Sequence, residues 1–280
     1  MAEQVALNGV DLSTLVRNVE SLAGILRSPA RRVEPVAVPG RHGDLGRLTH
    51  TYDANSFVLP MWVVGANPST GVDLFGDAAV TSFYARVDEL LALLHAPTLT
   101  FDHTLPDGSV RRAVAELTDE PVDFTRQLGS PLFGRVMVPL RIPSGFWVDT
   151  TTTTTQTVSG ATGALLTFSS FVNATAPMDE LTVTFGPSSN PKIQNGSIWL
   201  QYKGVIGDGR TYFFNSVDWT HGGTGGLAQN FANIAHVGSA RWFELLPGTP
   251  LGTSPQVSLT HTGGGSASVT LSGRRKYLVG

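Results

Sequence analysis

Residues 143–160 read PSGFWVDTTTTTTQTVSG, and the change of composition inside this stretch decides the fold. Up to Asp149 it is the aromatic end of an alternating segment, with Phe146 and Trp147 closing "GRVMVPLRIPSGFWVD". Six threonines then follow without a break, Thr150 to Thr155. A polar β-branched tract of this kind is either a linker or a solvent-exposed edge strand. A domain boundary is therefore expected here, between residues 1–149 and 150–280.

Working outward from that boundary, the N-terminal part is a sheet with one helix. "QVALNGVDLS" places Val5 and Leu7 before Asn8-Gly9, the strongest two-residue hairpin signal. "RRVEPVAV" and "SFVLPMWVVG" read as two more strands, with Pro35 and Pro60 pointing to an edge or a bulge. In "DAAVTSFYARVDELLALLHAP" the apolar residues Val80, Phe83, Tyr84, Val87, Leu90, Leu91 and Leu94 recur at helical spacing. Asp77 is the expected N-cap of this amphipathic helix, and Pro97 lies beyond its end. "TLTFDHTLPDGSVRRAVAEL" then gives two strands around Asp107-Gly108.

Past the boundary the pattern is all β. "LTVTF", "GSIWLQYKGVIGDGRTYFFNSVDW" with a hairpin at Asp208-Gly209, "ARWFELLPG", "QVSLTHTGGGSASVTLSG" and "RRKYLVG" are short strands with turn signals between them. The expected shape is a sandwich, and no repeat with a period of about 20–50 residues suggests a solenoid or propeller.

Composition bounds the function. A chain of 280 residues with 41% hydrophobic content can bury a sizeable core, and only 15% of its residues are charged, against about a quarter on average. A formal charge of −3 and the lack of any Lys/Arg-rich run argue against phosphate neutralisation as a binding mode. With no cysteine there is no disulfide, thiolate metal site or cysteine nucleophile. The N-terminus has neither a basic nor an apolar signal region, and no apolar run nears the roughly 18 residues of a membrane span. A soluble protein without membrane insertion is the expectation.

The search for chemistry starts at "VAVPGRHGDLGRL", residues 36–48, where glycines 40, 43 and 46 surround Arg41, His42 and Asp44. No Lys-Ser/Thr follows and no helix begins there, so the stretch fails as a phosphate loop and reads as a turn. The seven histidines are scattered without metal-ligand spacing, no Gly-x-Ser-x-Gly elbow occurs, and adjacent Asp179 and Glu180 would point to opposite sides if extended. Trp199, Tyr202, Tyr212, Phe213, Phe214 and Trp219 crowd one region as either core or an exposed row for stacking on sugar rings, with Trp199, Tyr202 and Trp219 the candidate glycan-facing residues. No catalytic set emerges, and no cofactor or metal is expected. The class expected is not an enzyme; a glycosidase would need two carboxylates facing across a groove.

The order of "LNGVDLS", "VPGRHGDL", an isolated helix, "PSGFWVD", "RWFELLPG" and terminal "RRKYLVG" resembles the distal tail protein family of long-tailed, non-contractile bacteriophages, over essentially the whole chain. The resemblance implies a mainly β protein: an N-terminal β-sandwich-like ring domain with one helix, and a C-terminal galectin-like β-sandwich. It implies a virion component at the tail tip, made in the host cytoplasm, in which six copies form an adaptor ring between the tail tube protein and the tail-tip hub protein. The tape measure protein would be a further partner, and a host-surface saccharide an optional one. DNA would pass through the lumen without sequence-specific binding. Arg41 and Asp44 become candidate ring-interface residues. The alternative is a lectin-like carbohydrate-binding sandwich.

Overall fold

A computed structural model of the chain describes residues 3–30, 36–37, 44–45, 52–127, 132–150, 153–225, 233–237 and 242–280. The protein is mainly β, with one α-helix and several antiparallel sheets among these residues. Its chain forms two compact units, one holding Met1–Arg32, Tyr52–Thr150 and Leu278–Gly280, the other holding Val33–Thr51 and Thr151–Tyr277.

In the first unit the strands follow the order Val10–Asp11, Gln4–Leu7, Leu99–Thr104, Val110–Leu117, Phe133–Ile142, Asn55–Val64, Arg17–Val19. Asn8 and Gly9 both take positive φ, 51° and 77°, as a tight hairpin between the first two strands requires. Val110–Leu117 pairs along six residues with Leu99–Thr104 but reaches Phe133–Ile142 only through Glu116 and Leu117, and so passes the ladder from one half of the sheet to the other. The longest ladder joins all ten residues of Asn55–Val64 to Phe133–Ile142. Strict alternation along Asn55–Val64 buries Phe57, Leu59, Met61 and Val63, which meet Val136, Val138, Leu140 and Ile142 in the core.

Pro60 lies inside that ladder without a bulge, contrary to expectation. Its carbonyl accepts from Glu20 N–H at 2.9 Å, so its missing donor faces the end of the short strand Arg17–Val19 rather than the long partner. The helix runs Gly76–Leu94, and its cap position is Phe75, which makes no side-chain cap bond. Asp77 therefore sits two positions past the cap, in the first turn, where a carboxylate complements the helix dipole. Its buried stripe is Ala79, Phe83, Leu90 and Leu94, narrower than the periodicity implies: Val80 and Tyr84 are exposed. Gly134 makes room for it, since a Cβ there would stand 2.6 Å from the Phe83 ring.

Among the described residues, the second unit has two large sheets besides the two-stranded ladder of Val36–Ala37 with Asp44–Leu45. One runs Thr154–Gly160, Ala267–Gly273, Leu181–Phe185, Tyr212–Asn215, Thr220–Gly223; the other runs Leu165–Thr167, Gln256–Thr262, Ser188–Asn195, Ile198–Tyr202, Ile234–Val237, with Val205–Ile206 beside Ser188–Asn195. Their inward residues form one core that includes Phe168, Phe171, Phe185, Phe214 and Phe243. The threonine tract enters the edge strand, where Thr155 and Thr157 pair hydroxyl to hydroxyl with Ser272 and Thr270 at 2.8 and 2.7 Å. Gln156 bonds to Ser169 and Ser170 and so ties this edge to the next segment.

Two sequence expectations fail in this unit. The Asp208-Gly209 turn does not close a hairpin: Val205–Ile206 pairs with Ser188–Ser189, while Tyr212–Asn215 pairs with Leu181–Phe185 in the opposite sheet. Burial of Ile206 and Tyr212 from the two sides outweighs the local turn signal. Residues 242–247 of "ARWFELLPG" form no strand beyond a single bridge between Leu245 and Met178. Trp242, Phe243 and Leu245 are all buried, which an alternating strand on a sandwich face does not permit.

Candidate functional site

Val36–Ala37 pairs with Asp44–Leu45 in a two-residue antiparallel ladder. Arg41 lies outside the described residues, as do His42, Pro35 and the side chain of Asp44.

The three candidate aromatics have three different fates. Alternation along Ile198–Tyr202 turns Ile198, Leu200 and Tyr202 inward. Tyr202 is 3% exposed and stacks on Tyr212 at 4.2 Å, so it belongs to the core and faces no ligand. Trp199 points outward but is half-buried, with the Lys192 ammonium 4.6 Å above its ring. Trp219 is 46% exposed.

Trp219 closes the loop of the hairpin between Tyr212–Asn215 and Thr220–Gly223, with φ of 56°. Glycine or asparagine fills such a left-handed position at least cost, and a bulky residue pays about 1–2 kcal/mol for it. Its ring lies 5.5 Å from Trp242, which Phe214, His221 and His236 also surround at 5.9, 6.2 and 5.1 Å. Tyr212 and His221 share a 2.8 Å hydrogen bond. Burial raises the Tyr212 phenol and lowers the His221 imidazole from their ordinary pKa values, so both are neutral near pH 7.

A charged cluster lies elsewhere in the same unit. Lys276 is only 5% exposed and donates to Asp179, and it forms a second ion pair with Glu180 at 3.3 Å. The two adjacent carboxylates thus converge on one ammonium instead of diverging, because the chain bends at Glu180 rather than running extended. Glu244 is pushed up to about 7 by burial and by the charge of Asp179, with Lys276 pulling the other way. Sequence reading passed over Glu244 and Lys276. The available signal was Glu244 alone within the apolar run Trp-Phe-Glu-Leu-Leu.

The surface clefts of this unit are polar. One of about 550 Å³ is lined by Thr167, Asn195, Leu246, Thr253 and Gln256, with no charged group in its wall. Another of about 260 Å³ is lined by Glu180, Thr182, Asn215, Asp218, Ser272 and Arg274. Among the described residues no group of three or more His, Asp or Glu side chains could hold a metal ion.

No protein-family model matches the sequence, and no curated protein matches it. The fold does match a solved structure, that of the Dit protein (gp 19.1) of phage SPP1, described as a paradigm of the hub adsorption apparatus in phages that infect Gram-positive bacteria. The TM-score is 0.55 at 14% sequence identity, over 98% of this chain and 99% of that one. At that identity the likeness establishes a shared fold.

Proposed function

We propose that the protein is a structural component of a long, non-contractile phage tail, a distal tail protein whose six copies form an adaptor ring at the tail tip. The observation that carries this reading is the end-to-end correspondence with the SPP1 Dit fold, two units in one chain rather than a shared sandwich alone. In this reading residues 1–149 build the ring and residues 150–280 project from it as a galectin-like sandwich. The ring joins the tail tube protein to the hub protein, with the tape measure protein as a further partner. A closed ring needs a head-to-tail interface, which open strand edges and turn loops provide without catalytic groups. The net charge of −3 per chain is multiplied in a ring, so DNA slides through the lumen without being held by counterion release.

Native mass spectrometry over a concentration series, with negative-stain microscopy of the heaviest species, tests this. A six-membered ring with a central hole is expected, either alone or after addition of tail tube protein. A chain that stays monomeric in both conditions overturns the reading. Reversing the charge of Arg41 and Asp44, one at a time, is expected to weaken assembly and leave the monomer folded.

A second reading, carbohydrate binding by the C-terminal unit, is favoured by one observation: the exposed Trp219 held in a left-handed conformation. A glycan array that returns no binder disposes of it.

A further inference from the structure

The segment 242–247 is tied to the sandwich through Leu245 and Leu246. Met178 N–H donates to the Leu245 carbonyl at 2.9 Å, Leu245 N–H donates back to Met178 at 2.9 Å, and Leu246 N–H donates to Asn195 Oδ1 at 3.0 Å. Below it, Trp242, Phe243 and Leu245 are buried. The bridge is antiparallel, so the pair next to Met178 and Leu245 is Asp179 opposite Glu244. Directly opposed residues on such a ribbon have their side chains on one side and within reach, and like charges there repel.

Three carboxylates, Asp179, Glu180 and Glu244, thus share one nearly buried ammonium, Lys276, which the bridge between Ala176 and Lys276 holds in place. Other charged or titratable groups also lie in this neighbourhood. Arg275 donates to the Val172 carbonyl at 3.5 Å, and Arg274 is exposed in the cleft beside Asp218. His221 and His236 pack on the Trp242 ring, and Arg241 lies outside the described residues.

We propose that residues 242–247 form a proton-controlled strap, held down while Glu244 carries a proton and loosened when it ionises opposite Asp179. Leu246 and Pro247 form one wall of the uncharged cleft completed by Asn195, Thr253 and Gln256, so release of the strap opens that wall. With Glu244 neutral, Asp179 and Glu180 divide Lys276 between them. With Glu244 ionised, the cluster of Asp179, Glu180, Glu244 and Lys276 carries a second net negative charge. The raised pKa of Glu244, about 7, places the change near neutrality.

Hydrogen–deuterium exchange of the full chain from about pH 5.5 to about pH 8.5, corrected for intrinsic rates, reads the strap directly. Protection at Leu245 and Leu246 is expected to fall about tenfold or more across that range, while Leu181–Phe185 keeps its protection. Glu244→Gln is expected to hold the strap protected at both ends of the range. Equal protection of the wild-type strap throughout overturns the proposal, as does a Glu244→Gln chain that still loosens. Should that variant fail to fold, the carboxyl carbon of Glu244 in the wild-type chain decides: a midpoint near 7 upholds the proposal, and one near the ordinary 4.5 overturns it.

Discussion

On the outward face of the first unit, guanidinium groups meet carboxylates across neighbouring strands. Arg112 grips Asp102 through two bonds of 2.7 and 2.8 Å, Arg141 reaches Glu116 at 3.1 Å, and Arg135 reaches Glu20 at 2.8 Å. The sheet that starts at Thr154–Gly160 pairs hydroxyls instead, Thr155 with Ser272 and Thr157 with Thr270. The charged pairs immobilise long side chains and are screened by salt, so each contributes little. Hydroxyl pairs lose less side-chain entropy and are indifferent to salt. One chain therefore solves the same problem, a solvated sheet face, twice with different chemistry, and the difference accounts for its low content of charged residues.

The largest effect that separates the units lies in the core of the second. Phe214 is fully buried and packs edge-on against Phe185 at 5.9 Å. Phe214→Ala is expected to cost about 3–5 kcal/mol in chemical denaturation of that unit. A loss shared equally by the first unit would break the comparison, because it would make the two cores one cooperative block.

Response to pH is the next contrast, and the two units should respond with opposite sign. Burial lowers the pKa of fully buried His103 below its ordinary 6.5. The unfolded chain then takes up the proton first, and the stability His103 lends to the first unit is lost as pH falls below about 6.5. Glu244 is raised, so its contribution is complete below the ordinary 4.5 and is lost as pH rises through about 7. Thermal unfolding followed from acid to alkali should show His103→Leu removing the acid-side loss and Glu244→Gln removing the alkaline-side loss. A single pH profile unmoved by either substitution refutes the contrast.

Smaller effects sharpen it. Arg112→Ala is expected to cost at most about 1 kcal/mol, since the guanidinium is 42% exposed, and the cost should shrink in high salt. Thr157→Val removes one hydroxyl pair and keeps the β-branched shape, for an expected change of about 0.5 kcal/mol with no salt dependence. Equal salt sensitivity of the two variants would erase the distinction drawn above.

Much of this organisation was legible before any coordinates. Asn8-Gly9 announced its turn because only residues tolerant of positive φ fit there, and the helix announced itself through Phe83, Leu90 and Leu94. The mainly β class followed from the short alternating runs. The candidate site was less legible. Tyr202 and Trp199, three residues apart in sequence, fall on opposite faces of one strand, and nothing local says which face the core will take.

Local stereochemistry is short-ranged, so the residues alone settled the Asn8-Gly9 turn, the helix and the alternation along Asn55–Val64. Partner choice is a long-range matter of burial. Three outcomes depended on which surfaces were buried together: the crossing of the chain between sheets at Asp208-Gly209, the irregular path of Trp242, Phe243 and Leu245 into the core, and the meeting of Asp179, Glu244 and Lys276. Residues so far apart in sequence acquire a common chemistry only when folding removes them from water, because there a single uncompensated charge costs more than any turn preference can supply.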